Sequence, residues 1–335
     1  MPLICYTPHK FDTATLVTID KAVEILEDYA RQGYDLTLRQ LYYQFVARGI
    51  IANKDTEYKR LGSIVNDARL AGLIDWDHIT DRTRNMRQNG HWNSPSDIIA
   101  SCGDQFQIDK WATQDNYVEC WVEKDALVGV LEVACKPLDV PYFSCRGYTS
   151  QSEMWAASQR LLSKVRVGKT VHIIHLGDHD PSGIDMSRDI TDRITMFMQF
   201  HVTRDFLRDN PRRPKETDEA LEERLFQCLQ TYPPYVRPMA LHRIALNMDQ
   251  VERYDPPPNP AKLTDARARG YIERFGGESW ELDALEPSVI TALINNEVLE
   301  LRDEDLWEDA ISREREHRNK LAACAKQWDR IAGKL

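Results

Sequence analysis

From Tyr117 onward the chain alternates short β-like runs with helical runs of about a dozen residues, and this alternation constrains the fold more than any other feature. Val118–Val122, Val140–Cys145 and Thr170–Leu176 read as strands, rich in Val and Ile. Asp125–Lys136, Ser152–Val165 and Ser182–Phe200 read as the helices between them. Strands that alternate with helices form βαβ units, so the pattern predicts an α/β fold with a mostly parallel sheet. Val236–Leu246 is expected to return a strand to that sheet after an insertion near 204–230. The Pro-rich run 255–260 reads as a stiff connector, Trp280–Leu282 as a last short strand, and 287–300 and 303–333 as helices.

The first part of the chain follows a different rule. Val17, Ala22, Val23, Ile25, Leu26 and Tyr29 recur near helical period, and Gly33 is a stop signal. Thr37 followed by Gln40 forms a capping-box pattern that opens a second helix, running through Val46 toward Gly49. A third helix is expected from about Asp55 to Leu70, closed by Gly72, with Tyr58, Leu61, Val65 and Ala68 on its apolar side. Leu73–Trp76 and Ile79–Arg84 read as short β-like pieces. Three helices and a ribbon describe a helical winged-helix domain over 1–88, whose second and third helices form a helix-turn-helix. Residues 89–116 carry turn signals at Asn89-Gly90 and Asn93-Ser94-Pro95-Ser96 and read as a linker, after which 117–254 form the α/β unit and 255–335 a C-terminal extension that ends in helices.

Composition excludes several classes. The 335 residues are 42% hydrophobic, with no apolar run near the ~18 residues of a membrane span. The N-terminus lacks a basic segment followed by a long apolar stretch, so no signal peptide is expected. Seven scattered cysteines without a CxxC pair argue against a disulfide framework and a zinc site, and read as reduced core thiols of a cytoplasmic protein. The net charge of −10 excludes a generally basic coat protein but not a local basic face for nucleic acid.

In open α/β sheets, functional groups gather beyond the carboxyl ends of the strands. Glu123, followed by Lys124, ends the first strand, and Asp178 and Asp180 follow the third in Gly177-Asp178-His179-Asp180-Pro181-Ser182-Gly183. Carboxylates converging from two strand ends suit a hard divalent cation such as Mg²⁺. The plainer reading has the same acids capping the following helices. Gly168-Lys169-Thr170 leads into a strand, and Ser163 stands where a phosphate loop needs its first glycine. His172 and His175 point to opposite faces of their strand and read as packing residues, with His179 near the acids but not required as a ligand.

On the second helix, Leu38, Leu41, Tyr42 and Phe45 define the apolar stripe, which makes Tyr42 a core residue. Tyr43 falls about 100° round the helix and one turn beyond Arg39, and is expected to be exposed beside that guanidinium. An arginine can hold a phosphate while a phenol attacks it.

These residues carry a resemblance. Glu123-Lys124 with Asp178-His179-Asp180-Pro181-Ser182-Gly183 resembles the Toprim domain, the metal-binding fold of topoisomerases, some primases and OLD-type nucleases. Arg39-Gln40-Leu41-Tyr42-Tyr43 ahead of it resembles the topoisomerase VI A subunit and its meiotic double-strand-break relative, and Glu281-Leu282-Asp283-Ala284-Leu285 is similar to that family's C-terminal Glu-x-x-Ala-Leu segment. Ser182 stands where the longer Toprim pattern has a third aspartate, as in the topoisomerase VI type, and the compact chain is closer to free-standing "mini-A" homologues.

The resemblance implies a Mg²⁺-dependent DNA-cleaving transesterase. Tyr43 would be the nucleophile, Arg39 a phosphate holder, and Glu123, Asp178 and Asp180 the metal ligands, with Glu123 also exchanging a proton. It implies a homodimer on double-stranded DNA in which Tyr43 of one protomer serves the partner's metal site, and it admits a separate GHKL ATPase subunit. Lys59 and Arg69 on the third helix, and Arg82 and Arg84 in the wing, are candidates for duplex contacts. The rival readings are a hydrolytic Toprim nuclease using metal-activated water and a non-catalytic DNA-binding homologue.

Overall fold

Strand β1, Asn116–Val122, is buried along nearly its whole length and lies between two parallel neighbours, β2 (Tyr142–Ser144) and β3 (Thr170–Leu176). Strand β4 (Ala240–Ala245) pairs with β3, also parallel, to complete a four-stranded sheet of order β2-β1-β3-β4. The computed structural model describes residues 3–80, 89–231, 239–262 and 264–332, and these carry an α/β fold.

Both faces of the sheet are covered, which is why β1 shows no in–out alternation. Val118, Cys120 and Val122 pack with Leu127, Val130 and Leu131 and with Ile290 and Ile294 of the helix Pro287–Leu301. Tyr117 and Trp121 face the other way, toward Met154 and Leu161 of α6 (Gln151–Arg166) and Ile190 and Ile194 of α7 (Pro181–Asp209). Three observed elements depart from expectation here. The segment after β1 is a 3₁₀ turn, Asp125–Leu127, followed by α5 (Val128–Cys135). Helix α7 runs on to Asp209 without a break, because Ile190, Ile194, Met198 and Val202 keep burying one stripe into the region read as an insertion. That region also holds α8, Asp218–Thr231.

The N-terminal helices form as the sequence predicts. Asp12 caps α1 (Thr13–Arg31) by accepting from the Thr15 N–H at 2.7 Å. The Thr37–Gln40 capping box opens α2 (Leu38–Ala47), and α3 spans Asp55–Leu70 with Gly72 beyond it in the left-handed region (φ 74°). The β-like pieces do not form as expected: Trp76–His78 is a 3₁₀ turn, and Ile79 makes only an isolated bridge to Leu36. The remaining expected wing residues, with Arg82 and Arg84, lie outside the described residues.

The stretch read as a linker contains α4, Pro95–Gln105, packed against the long helix Glu304–Lys326. Ser94 accepts from the Asp97 N–H at 3.1 Å and Pro95 takes the first helical position, so the residues read as turn signals start a helix. The expected strand at Trp280–Leu282 is displaced by two residues: β6, Glu278–Ser279, pairs antiparallel with β5, Asn259–Pro260, and Trp280 bridges His179. Cys120, Cys135 and Cys145 are buried free thiols, but Cys5 and Cys102 are exposed, against the reading of all cysteines as core. Among the described residues no helix is long and apolar enough to cross a membrane.

Candidate functional site

The parallel pairing of β1 and β3 brings Glu123 and Asp178 to the same end of the sheet. The Asp178 backbone N–H donates to Glu123 Oε2 at 2.9 Å, which locks the two strand ends together. Gly183 lets the acid loop fold back tightly, since a Cβ there would stand 2.2 Å from the Asp178 carbonyl oxygen. Asp180 caps α7: its Oδ1 accepts from the Gly183 N–H at 2.6 Å and from Ser182 Oγ at 2.8 Å. The plain capping reading therefore describes Asp180 as it stands, whereas Glu123 and Asp178 are buried and do not cap a helix.

Behind the loop lies a residue the sequence reading missed. Arg243 of β4 donates to the carbonyls of Gly183, Gly177, Asp178 and Leu246 and to Ser187 Oγ, at 2.7–3.2 Å. Its burial pulls its pKa down to about 10, opposed by Glu123, Asp178 and Asp180.

In front of the loop is a second layer of charge. Lys124 Nζ lies 2.9 Å from Asp178, 2.6 Å from Glu281 and 2.8 Å from Asp283, with its side chain only 19% exposed. Burial works against that ammonium, but the three carboxylates hold it firmly protonated. The Leu282 N–H also donates to Asp178, at 2.8 Å. Glu281 and Asp283 are not among the site residues expected from sequence; their signal there is the Glu-x-x-Ala-Leu motif.

The same pair of acids reaches the tyrosine helix. Arg39 makes ion pairs with Glu281 and, at 3.2 Å, with Asp283, and its Nη2 donates to the Tyr43 hydroxyl at 3.4 Å. One connected series thus runs from Tyr43 through Arg39, Asp283 and Lys124 to Asp178 within a single chain. The resemblance implies in addition that Tyr43 serves the metal site of a partner protomer.

Tyr43 itself needs correction. It is 4% exposed, as buried as Tyr42 at 5%, because α2 packs against residues 282–284 and its outward flank is covered. Burial, then Asp283 and Glu281, push the Tyr43 phenol upward, and Arg39 and Lys124 oppose them. Tyr42 donates to Asn53 Oδ1 at 2.9 Å, and its ring meets Tyr43 edge-on at 5.3 Å. A cavity of about 120 Å³, lined by Arg39, both tyrosines, Asn53, Tyr58 and Glu281 among others, opens beside the phenol.

Among the described residues no three His, Cys, Asp or Glu side chains stand together as a ready ligand set for a metal. The donor chemistry still fits a hard divalent cation. Carboxylate oxygens are the ligands such a cation takes; burial and then Asp178 raise the Glu123 carboxyl, and burial raises Asp178 with Asp283 adding to it and Lys124 opposing.

Of the expected duplex contacts, Lys59 is exposed on α3 with Ser63 and Asn66, one polar stripe. Arg69 is occupied. It donates to the carbonyls of Trp76 and Ile79 at 2.7 and 3.2 Å and stacks on the Trp76 ring, so it clamps the turn after α3. The histidines are packing groups, as expected: His172 meets His242, His175 meets Ser187, and His179 meets Tyr271. Lys169 binds the carbonyls of Trp111, Ala112 and Gln114, a structural role that leaves no phosphate loop.

No family model matches the chain, and no curated protein matches it.

Proposed function

We propose that this protein is a Mg²⁺-dependent DNA-cleaving transesterase of the topoisomerase VI A-like kind, with a winged-helix unit carrying Tyr43 and a Toprim unit carrying the acids. The observation that supports it best is Arg39, which touches the Tyr43 hydroxyl and the acids beside Lys124 at once. A phosphodiester entering there meets a guanidinium suited to its oxygens and a phenol next to it.

In the proposed step the Tyr43 Oη–phosphorus bond forms and the bond from phosphorus to the 3′-oxygen breaks. The phenol gives its proton to solvent in the cavity beside it, and the leaving 3′-oxygen gains one. In its protonated form, which burial favours, Glu123 is suited to deliver that proton; ionised, it is free to ligate a cation. Arg39 lowers the cost of the phenolate that burial and the neighbouring acids raise. Glu123, Asp178 and Asp180 would hold Mg²⁺, which supplies charge neutralisation at the phosphate when bound. Two breaks in a duplex need two phenols, so the reading includes a twofold homodimer, and a separate GHKL ATPase is a compatible partner. Lys59 on α3 is a candidate phosphate contact.

One observation favours a second reading. With Tyr43 buried, water is the more accessible nucleophile, and the same acids would then serve a hydrolytic nuclease. The two separate cleanly. Wild-type protein incubated with DNA and Mg²⁺ and quenched in detergent should carry covalent DNA, and Tyr43→Phe should lose both adduct and cleavage. Cleavage by Tyr43→Phe without any adduct makes the protein a hydrolase. An absence of cleavage under all conditions leaves the DNA-binding reading.

A further inference from the structure

Lys124 is a cation that acts on Asp178 and the 281–283 segment together. Its ammonium contacts Asp178, Glu281 and Asp283 within 2.9 Å, and Leu282 between the two acids donates to the same Asp178 oxygen. Glu123, one residue earlier, is tied to the Asp178 backbone. Asp178 is thus shared between a covalently tethered monovalent cation on one side and the crevice of the strand ends on the other.

We infer that Lys124 is an exchangeable internal counter-ion: a divalent cation taken up by Asp178 displaces the ammonium from it, leaving Lys124 to Glu281 and Asp283. This rests on the cation-binding part of the function proposed above. A divalent cation on Asp178 stands close to the Lys124 ammonium on the same carboxylate, so the two like charges repel and each disfavours the other. Linkage then makes the effect reciprocal: the cation loosens Lys124, and removing the Lys124 charge tightens the cation. The displaced ammonium loses one of the three carboxylates it contacts and keeps Glu281 and Asp283. Lys124 is a positioning residue here, acting through the acids.

Two measurements test it, neither depending on cleavage. Lys124→Met keeps most of the buried stem and removes the charge. Its affinity for Mn²⁺ alone, by titration calorimetry, should exceed that of the wild type by a factor in the range usual for coupled sites, about 5- to 150-fold. Asp178→Asn in either background should abolish that binding. Equal or weaker binding by Lys124→Met overturns the inference while leaving the metal reading intact. No Mn²⁺ binding by either protein removes the metal reading, and the inference with it. Should Lys124→Met fail to fold, the wild type alone decides. Reductive methylation of Lys124, followed by mass spectrometry, should be slow in metal-free protein and accelerate with Mn²⁺ as the ammonium leaves Asp178. An unchanged rate with saturating Mn²⁺ overturns the exchange.

Discussion

Arg39 on α2 and Asp283 in the turn after β6 form an ion pair at 3.2 Å, although they lie near opposite ends of the sequence. The Asp283 side chain is wholly buried, while that of Arg39 is 47% exposed. The pair fastens the tyrosine helix to the acid crevice, and its two ends pay unequally if it is broken.

Removing Arg39 strands a buried carboxylate with Lys124 as its remaining ion-pair partner. Arg39→Met should therefore destabilise the protein by about 1–3 kcal/mol in urea unfolding. Asp283→Asn added to it should cost much less than its effect alone, because the charge needing a partner is gone. Strictly additive effects would show that the pair carries no coupling.

Gly183 is required by close approach to the Asp178 carbonyl rather than by its backbone angles. Gly183→Ala should push the acid loop off the start of α7, lowering stability by about 1–3 kcal/mol. An unchanged unfolding midpoint would mean that the loop gives way freely.

Arg243 reaches four carbonyls and a hydroxyl through two guanidinium nitrogens. An ammonium cannot span that set from one position. Arg243→Lys should thus recover only part of the loss caused by Arg243→Met, which we expect to exceed about 2 kcal/mol because buried acceptors are left without donors. Full recovery by lysine would show that charge alone matters.

Much of this architecture was legible in the chain. Strand–helix alternation predicted the parallel sheet, Thr37 and Gln40 marked the start of α2, and the acids fell at strand ends as expected. What sequence could not show is tertiary. Tyr43 lies off the apolar stripe of its own helix and is buried where α2 packs against residues 282–284. Arg243 looks like any strand arginine until the acid loop folds over it. Ser94-Pro95 punctuates a turn and a helix start equally well, and only packing against Glu304–Lys326 distinguishes them.

His175 supplies a pH prediction. Burial, reinforced by Arg243, lowers its pKa to about 3, against about 6.5 in an unfolded chain. The fold therefore holds it neutral, and the unfolded chain binds the extra proton between those values. Its contribution is intact above pH 6.5 and is lost as pH falls toward 3, by about 2 kcal/mol at pH 5. Urea unfolding at pH 7.5 and 5.0 should show His175→Asn losing less stability between the two than the wild type does. Equal losses would remove His175 as a source of acid sensitivity.

The interleaving of Arg39, Lys124, Asp178, Arg243 and Asp283 has a consequence for biosynthesis. A nascent chain that has emerged as far as α8 already displays Tyr43, Glu123, Asp178 and Asp180, yet has neither the arginine that braces the loop nor the acids that engage Arg39 and Lys124. Translation must pass Asp283 before the crevice can close, so a chain stalled or clipped earlier carries every recognisable reactive group in an unassembled state. Whatever chemistry the crevice performs is withheld until that segment has been made.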